Sequence, residues 1–252
     1  DVDYNGIDSF IFAASDGEVS DDAEVTVTIE AVNDAPVLTA VSDVSFNEDQ
    51  TELITLLAND IDGDALTYSI EGGDQIAASL LDSEVTFSAP ANFNGSETFT
   101  VSVTDSEYTD SQNITVTINA VNDAPVATTG LSGSTNEDQD VVIPLTASDI
   151  DGDNLTFSLD SDATNGSVTI EGSFATYTPD TNYNGDNSFT FSVSDGELSA
   201  TAQVTLTMES INDAPVLAAV SDVSFDEDGS EQVSLSGSDV DGDDLTYSIT
   251  AG

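Results

Sequence analysis

Apolar residues fall at every second position along much of this chain. Phe189, Phe191 and Val193 alternate with Thr190 and Ser192, and Val204, Leu206 and Met208 alternate with Thr205 and Thr207. The same pattern appears earlier as Phe99, Val101 and Val103 and as Ile114, Val116 and Ile118. A period of two is the mark of antiparallel strands with one buried face. Thr, Val and Phe also suit strands. No segment carries a convincing amphipathic helix. Across residues 121–210 the alternation and its breakers predict strands near 126–133, 140–147, 154–160, 166–171, 173–178, 187–194 and 198–209. Seven short strands in about 90 residues predict an all-β, immunoglobulin-like Greek-key sandwich. A closed barrel is the less favoured alternative.

The pattern repeats. Asn33-Asp34-Ala35-Pro36 returns at Asn122 and Asn212, at spacings of 89 and 90 residues. Asp60-Ile61-Asp62-Gly63-Asp64 returns at residues 149–153 and 239–243 with the same spacings. Glu48-Asp49 returns as Glu137-Asp138 and Glu227-Asp228, and Asn92-Phe93-Asn94-Gly95 returns as Asn182-Tyr183-Asn184-Gly185. Several landmarks on one period define tandem modules. Residues 1–31 read as the C-terminal part of one repeat, 32–120 and 121–210 as two complete repeats, and 211–252 as the N-terminal part of a further one. The frame cuts across repeats at both ends, as in a fragment of a longer secreted protein.

Charge changes the picture. The 252 residues include 50 Asp and Glu and no Lys, Arg or His, for a formal charge of −50. Nucleic acids and anionic lipid surfaces demand basic side chains, so they are excluded as partners. Such a charge opposes compaction, yet 38% of residues are hydrophobic and regularly spaced. Cations from outside the chain must offset the excess. There is no Cys, hence no disulfide or thiolate metal site. No stretch reaches the roughly 20 apolar residues of a membrane span.

The carboxylates gather in the loops. Asp60, Asp62 and Asp64 lie within five positions around Gly63, as do Asp149, Asp151 and Asp153, and Asp239, Asp241 and Asp243. Ca²⁺ takes 6–8 oxygen ligands from such groups, and Gly permits the sharp bend. The loop is similar to the first half of an EF-hand, but the bidentate Glu and the flanking helices are missing, so an EF-hand is rejected. A plain solvated turn is the alternative. Three copies on a chain without basic partners favour a metal. The pairs Asn33-Asp34, Asn122-Asp123 and Asn212-Asp213 place further oxygens where modules meet, although a Pro-stopped linker reads the same way. Asn94-Gly95 and Asn184-Gly185 read as turns. Asp105 and Asp195 close a hairpin, which a turn role explains by itself.

Taken together, these landmarks resemble the bacterial cadherin-like repeat of large surface adhesins, along the whole chain. The resemblance implies calcium between successive modules. It implies a ligand role for Glu48, Glu137 and Glu227, for the Asp-x-Asp loops, for Asp105 and Asp195, and for the Asn-Asp linkers. One junction would draw Glu48 from the module before, Asn122 and Asp123 from the linker, and Asp149, Asp151 and Asp195 from the module after. The chain departs from the cadherin pattern where Asn92/Asn94 and Asn182/Asn184 replace an Asp-x-Glu pair, and where Ala-Pro follows the linker Asp. Fewer or weaker ions per junction follow, with Asp64, Asp153 and Asp243 as compensation.

The implied function is a calcium-stiffened extender region of a bacterial cell-surface or secreted adhesin. Its partners would be the neighbouring repeats. The alternative is a directly adhesive module that recognises another cell surface or a polysaccharide. Without His, Cys or Lys, triads, Schiff bases and thiol chemistry are impossible, and an enzyme is not expected.

Overall fold

The computed structural model describes residues 3–250, which form strands, turns and loops without a helix. The chain divides into two compact units, Asp1–Val121 and Asn122–Gly252. In the first, β1 (Gly6–Ser15) and β2 (Ser20–Ile29) form a hairpin. A complete module follows, built from β3 (Val37–Leu38), β4 (Val44–Asn47), β5 (Glu52–Thr55), β6 (Ala58–Asn59), β7 (Thr67–Gly72), β8 (Ala77–Leu81), β9 (Glu84–Ser88), β10 (Gly95–Thr104) and β11 (Thr109–Asn119). Its sheets run β4-β11-β10-β7 and β5-β9-β8, and β3 pairs with β6.

The second unit repeats this plan with β12 (Val126–Ala127), β13 (Leu131–Asn136), β14 (Val141–Pro144), β15 (Ala147–Ser148), β16 (Thr156–Ser161), β17 (Gly166–Glu171), β18 (Phe174–Pro179), β19 (Gly185–Ser194) and β20 (Ser199–Glu209). The sheets are β13-β20-β19-β16 and β14-β18-β17, with β12 paired to β15. Two short strands, β21 (Val216–Leu217) and β22 (Gly237–Ser238), pair beyond it.

The alternation seen in the sequence is the core. Phe99, Val101 and Val103 of β10 and Ile114, Val116 and Ile118 of β11 are buried, together with Val85 and Phe87 of β9. Phe87 and Phe99 meet edge-on with ring centroids 5.3 Å apart. Burying each such side chain contributes about 1.5–3 kcal/mol. The intervening Thr and Ser residues face outward. Acidic residues are rare there for a physical reason. Like charges directly opposite one another on a sheet are destabilising, and this chain has no cation to pair with them.

Two expected strands are each split. The segment 126–133 becomes β12, paired antiparallel with β15, and β13, paired parallel with β20. Gly130, at φ +76°, makes the switch between them. The segment 140–147 becomes β14 and β15, the same split that separates β5 from β6 in the first module, where Thr55 stands in place of Pro144. At each break the chain turns to the other sheet, with Leu145 N–H donating to Ser173 O and Leu56 N–H to Ser83 O, both at 2.8 Å.

The parallel pairing positions the acidic residues. Asn47 stands opposite Asn119, so Glu48 lies beside the point where β11 ends and the linker begins. Asn136 stands opposite Glu209, which puts Glu137 beside the start of the next linker.

Candidate metal centre

Each Asp-x-Asp-Gly-Asp loop is organised by its first carboxylate. Asp60 Oδ1 accepts the backbone N–H groups of Asp62, Gly63 and Asp64 at 2.9, 3.0 and 3.3 Å. Gly63 sits at φ +81°, where a side chain would be strained. Asp149 holds Asp151 and Asp153 in the same way, at 3.0 and 3.2 Å, and Asp239 holds Asp241 and Asp243 at 3.0 and 3.4 Å. The other oxygens, Asp60 Oδ2 and Asp149 Oδ2, are enclosed and accept no hydrogen bond. Ligand atoms of Asp60, Asp62 and Asp64 lie within 4.8 Å of one another, as do those of Asp149, Asp151 and Asp153.

The middle carboxylate grips the linker. Asp62 Oδ2 accepts the N–H of Asp34 at 2.7 Å, and Asp241 Oδ2 that of Asp213 at 2.6 Å. The linker Asn is held separately. Asn33 Nδ2 donates to Asp105 Oδ2 at 2.8 Å, and Asn122 Nδ2 to Asp195 Oδ2 at 3.0 Å. Asp105 and Asp195 also close their hairpins. Asp105 Oδ1 accepts the N–H groups of Glu107 and Tyr108, both at 2.7 Å. The Tyr108 N–H, the Asn33 amide and the Glu107 N–H outweigh loss of hydration and hold the Asp105 carboxyl below its usual range. The turn role expected for these two residues is therefore present, and the same side chain orients the linker.

The buried glutamates reach the linker from the module before it. Glu48 and Glu137 are each only 4% exposed. Glu48 Oε1 accepts the Val121 N–H at 2.5 Å, and Glu137 Oε1 the Ile211 N–H at 2.6 Å. In the second unit, Glu137, Asp213 and Asp241 bring ligand atoms within 4.8 Å of one another. These three come from the end of β13, the linker after β20 and the loop after β22. Asp213 Oδ2 is enclosed and accepts no hydrogen bond. Loss of hydration pushes the Asp213 carboxyl up, and Asp241, Asp138, Glu137 and Asp239 push it further. Loss of hydration likewise raises Asp34, with Asp3, Asp62 and Asp60 adding to it. Carboxylates this close repel one another, and no cation of the chain offsets it. The donor set is all oxygen, negatively charged and partly enclosed, which fits a hard divalent cation.

The profile of the bacterial Ig domain matches residues 33–117 and 122–207. The chain belongs to the bacterial Ig domain family. It carries two tandem copies of that domain, and the match agrees with the immunoglobulin-like repeats expected from the sequence. No curated protein matches it. Among solved structures, human protocadherin-24 EC1-2 is similar at 19% identity and a TM-score of 0.49, over 70% of this chain and 100% of that one. Mouse protocadherin-24 EC1-3 is similar at 17% identity and a TM-score of 0.47, over 83% of this chain and 81% of that one. An endo-fucoidan hydrolase from glycoside hydrolase family 107 is similar at 22% identity and a TM-score of 0.31. The match covers 83% of this chain and spans only 35% of the hydrolase.

Not every candidate joins a cluster in this bacterial Ig chain. Glu227 is exposed, and Asp239 and Asp243 serve or border the loop turn. Sequence reasoning assigned Asn184 a turn role and, through the resemblance, an amide in place of a ligand carboxylate. Its Nδ2 in fact faces Glu137 Oε2 at 3.4 Å. Its position two residues after Asn182, repeated from Asn94 after Asn92, was the available signal. The reading also passed over Asp49 and Asp138, which stand at positive φ. They accept the backbone N–H groups of Asn92 and Asn182 at 3.0 and 2.9 Å, fixing the Asn-aromatic-Asn turn from below.

Proposed function

We propose that these bacterial Ig modules form a calcium-stiffened extender region of a large bacterial cell-surface or secreted adhesin, acting outside the cell. The observation that carries this reading is the convergence of Glu137, Asp213 and Asp241 within 4.8 Å, from a module, its linker and the following segment. The chain has no Lys, Arg or His to neutralise them. Calcium suits the set better than magnesium, because carboxylate and amide oxygens on flexible loops satisfy its larger, irregular shell, whereas magnesium demands a near-ideal octahedron. Glu137 and Asp213 would bind it, with Asp241 both a ligand and the grip on the linker. The ion would lower the repulsion between segments and so fix the angle of the joint. Bacterial Ig domains are generally non-catalytic, which agrees with a mechanical role stamped into every repeat.

The test is calcium titration of the whole chain. Melting temperature should rise with calcium and fall back with chelator. The spread of end-to-end lengths in small-angle scattering should narrow in the same titration. Indifference of both readouts to calcium and to chelator would sink the proposal.

A further inference from the structure

Residues 1–31 and 211–252 have each formed only the strand pairs they contain. The hairpin β1–β2 matches β10–β11 in register. Gly6 stands opposite Ile29 as Gly95 stands opposite Ile118, and Phe10 opposite Val25 as Phe99 opposite Ile114. The pair β21–β22 matches β3–β6, with Val216 opposite Ser238 as Val37 is opposite Asn59. In the first module two further pairings, β4 with β11 and β7 with β10, join the early strands to the late hairpin. Their counterparts in the last segment, residues 223–226 and 246–250, form no strand. Apolar side chains are left in solvent on both sides. Phe10 and Phe12 are 55% and 52% exposed, against 0% for their counterparts Phe99 and Val101. Val223 and Phe225 are 51% and 58% exposed, against 6% and 8% for Val44 and Phe46.

We propose that the β1–β2 hairpin is the docking surface for residues 211–250 of a second copy of this chain, so that copies join head to tail. In a complete module β4 and β7 cover the two edges of the β11–β10 hairpin, and the last segment carries the counterparts of both. In that register Val27 meets Val223 and Ile29 meets Phe225, as Val116 meets Val44 and Ile118 meets Phe46. On the other edge Phe12 meets Ile249 and Ala14 meets Tyr247, as Val101 meets Ile70 and Val103 meets Tyr68. A stable interface takes about 800 Å² from each partner. One buried Phe supplies about 150–250 Å², so Phe10 and Phe12 with Val27, Ile29 and two strand edges reach that scale. The contact is heterologous, and such contacts extend into open chains unless they close into a ring. The charge of −50 on each copy opposes the encounter, so salt strengthens the assembly. The pairing uses strand edges and apolar side chains and does not depend on the cation reading of the loops.

Sedimentation velocity of the whole chain across a range of concentrations, in chelator at high salt, tests this with two variants. F12D spoils the hairpin and keeps the last segment intact, and F225D does the reverse. Both residues are exposed and lie outside the cores of the complete modules, so both variants should keep the wild-type melting curve. Wild type should form dimers and larger species as concentration rises, and fewer of them at low salt. Each variant alone should need roughly tenfold more protein or worse, the usual cost of losing one aromatic anchor. An equimolar mixture of F12D and F225D should assemble near the wild-type concentration and stop at the dimer, because one intact hairpin meets one intact partner segment. Wild type that stays monomeric at every concentration overturns the inference. So does either variant assembling as readily as wild type, and so does a mixture that stays monomeric or grows past the dimer.

Discussion

Asp151 Oδ2 accepts the backbone N–H of Asp123 at 2.8 Å. Equivalent bonds join Asp62 to Asp34 at 2.7 Å and Asp241 to Asp213 at 2.6 Å. One carboxylate thus does two things in every repeat. It fastens the linker backbone to the loop, and it stands among the candidate ligands.

Two substitutions separate these roles. D151N keeps an oxygen that can accept the Asp123 N–H but removes the charge. D151A removes both. In chelator D151N should melt close to wild type, while D151A should lose about 1 kcal/mol, the usual worth of one such hydrogen bond. In calcium both should lose most of the metal-induced rise in melting temperature. Differential scanning calorimetry with and without chelator reads all four values.

Glu97 makes a pH-dependent contribution away from the metal loops. Its two oxygens accept the N–H groups of Asp74, Gln75 and Ile76 at 2.8, 2.9 and 3.1 Å. Partial burial pushes the carboxyl up, but the three N–H groups outweigh it and hold the group below its usual range. A depressed carboxyl stabilises the fold above its unfolded pKa of about 4.3. That contribution fades as pH falls through the lower, folded value. E97Q should therefore be less stable than wild type at pH 7 in chelator, by about 1 kcal/mol. The gap should close toward pH 3. Urea unfolding across that range checks it, and a gap independent of pH would contradict the assignment.

The two modules provide an internal comparison at one turn. Asp82 and Gly172 each occupy the first position of a two-residue hairpin turn, at φ +54° and +58°. Such a position favours Gly. D82G should raise the urea midpoint, and G172D should lower it. Each shift should be of order 0.5–1 kcal/mol, since the freer unfolded chain offsets part of the relief of strain. Shifts of the same sign in both variants would contradict this account.

The sequence carried the layers of the fold openly and the site only in part. Alternation marks Phe99, Val101 and Val103 because burial acts on every second residue of a strand wherever the strand lies. The break at Gly130 is less visible, since a local apolar pattern does not say which sheet the next residue joins. The three-fold Asp-x-Asp-Gly-Asp motif is legible because the loop is folded by its own first carboxylate. Glu48 and Glu137 entered only through the cadherin-like resemblance, since parallel pairing with a strand some 70 residues away places them. The contact of Asn184 with Glu137 was not legible because the two are 47 residues apart and nothing local requires it.

Glu137 offers a test in which the sign of the effect depends on the ion. Its carboxylate lies within 4.8 Å of two others. Without a cation that crowding is repulsive, and salt screens it. Gln has the same shape and can accept the Ile211 N–H through its amide oxygen, and its NH₂ group then faces the exposed Asn184 amide, which can rotate to present its oxygen. In chelator at low salt, E137Q should therefore be as stable as wild type or more so. In calcium the wild-type chain gains from the bound ion and the variant loses a charged ligand, so the order should reverse. A Glu with a purely structural role in capping the Ile211 N–H predicts otherwise, because E137Q would then be neutral or destabilising to the same degree in both conditions. Melting curves of the two proteins with calcium and with chelator decide between them, and the reversal of order is the outcome that the metal role requires.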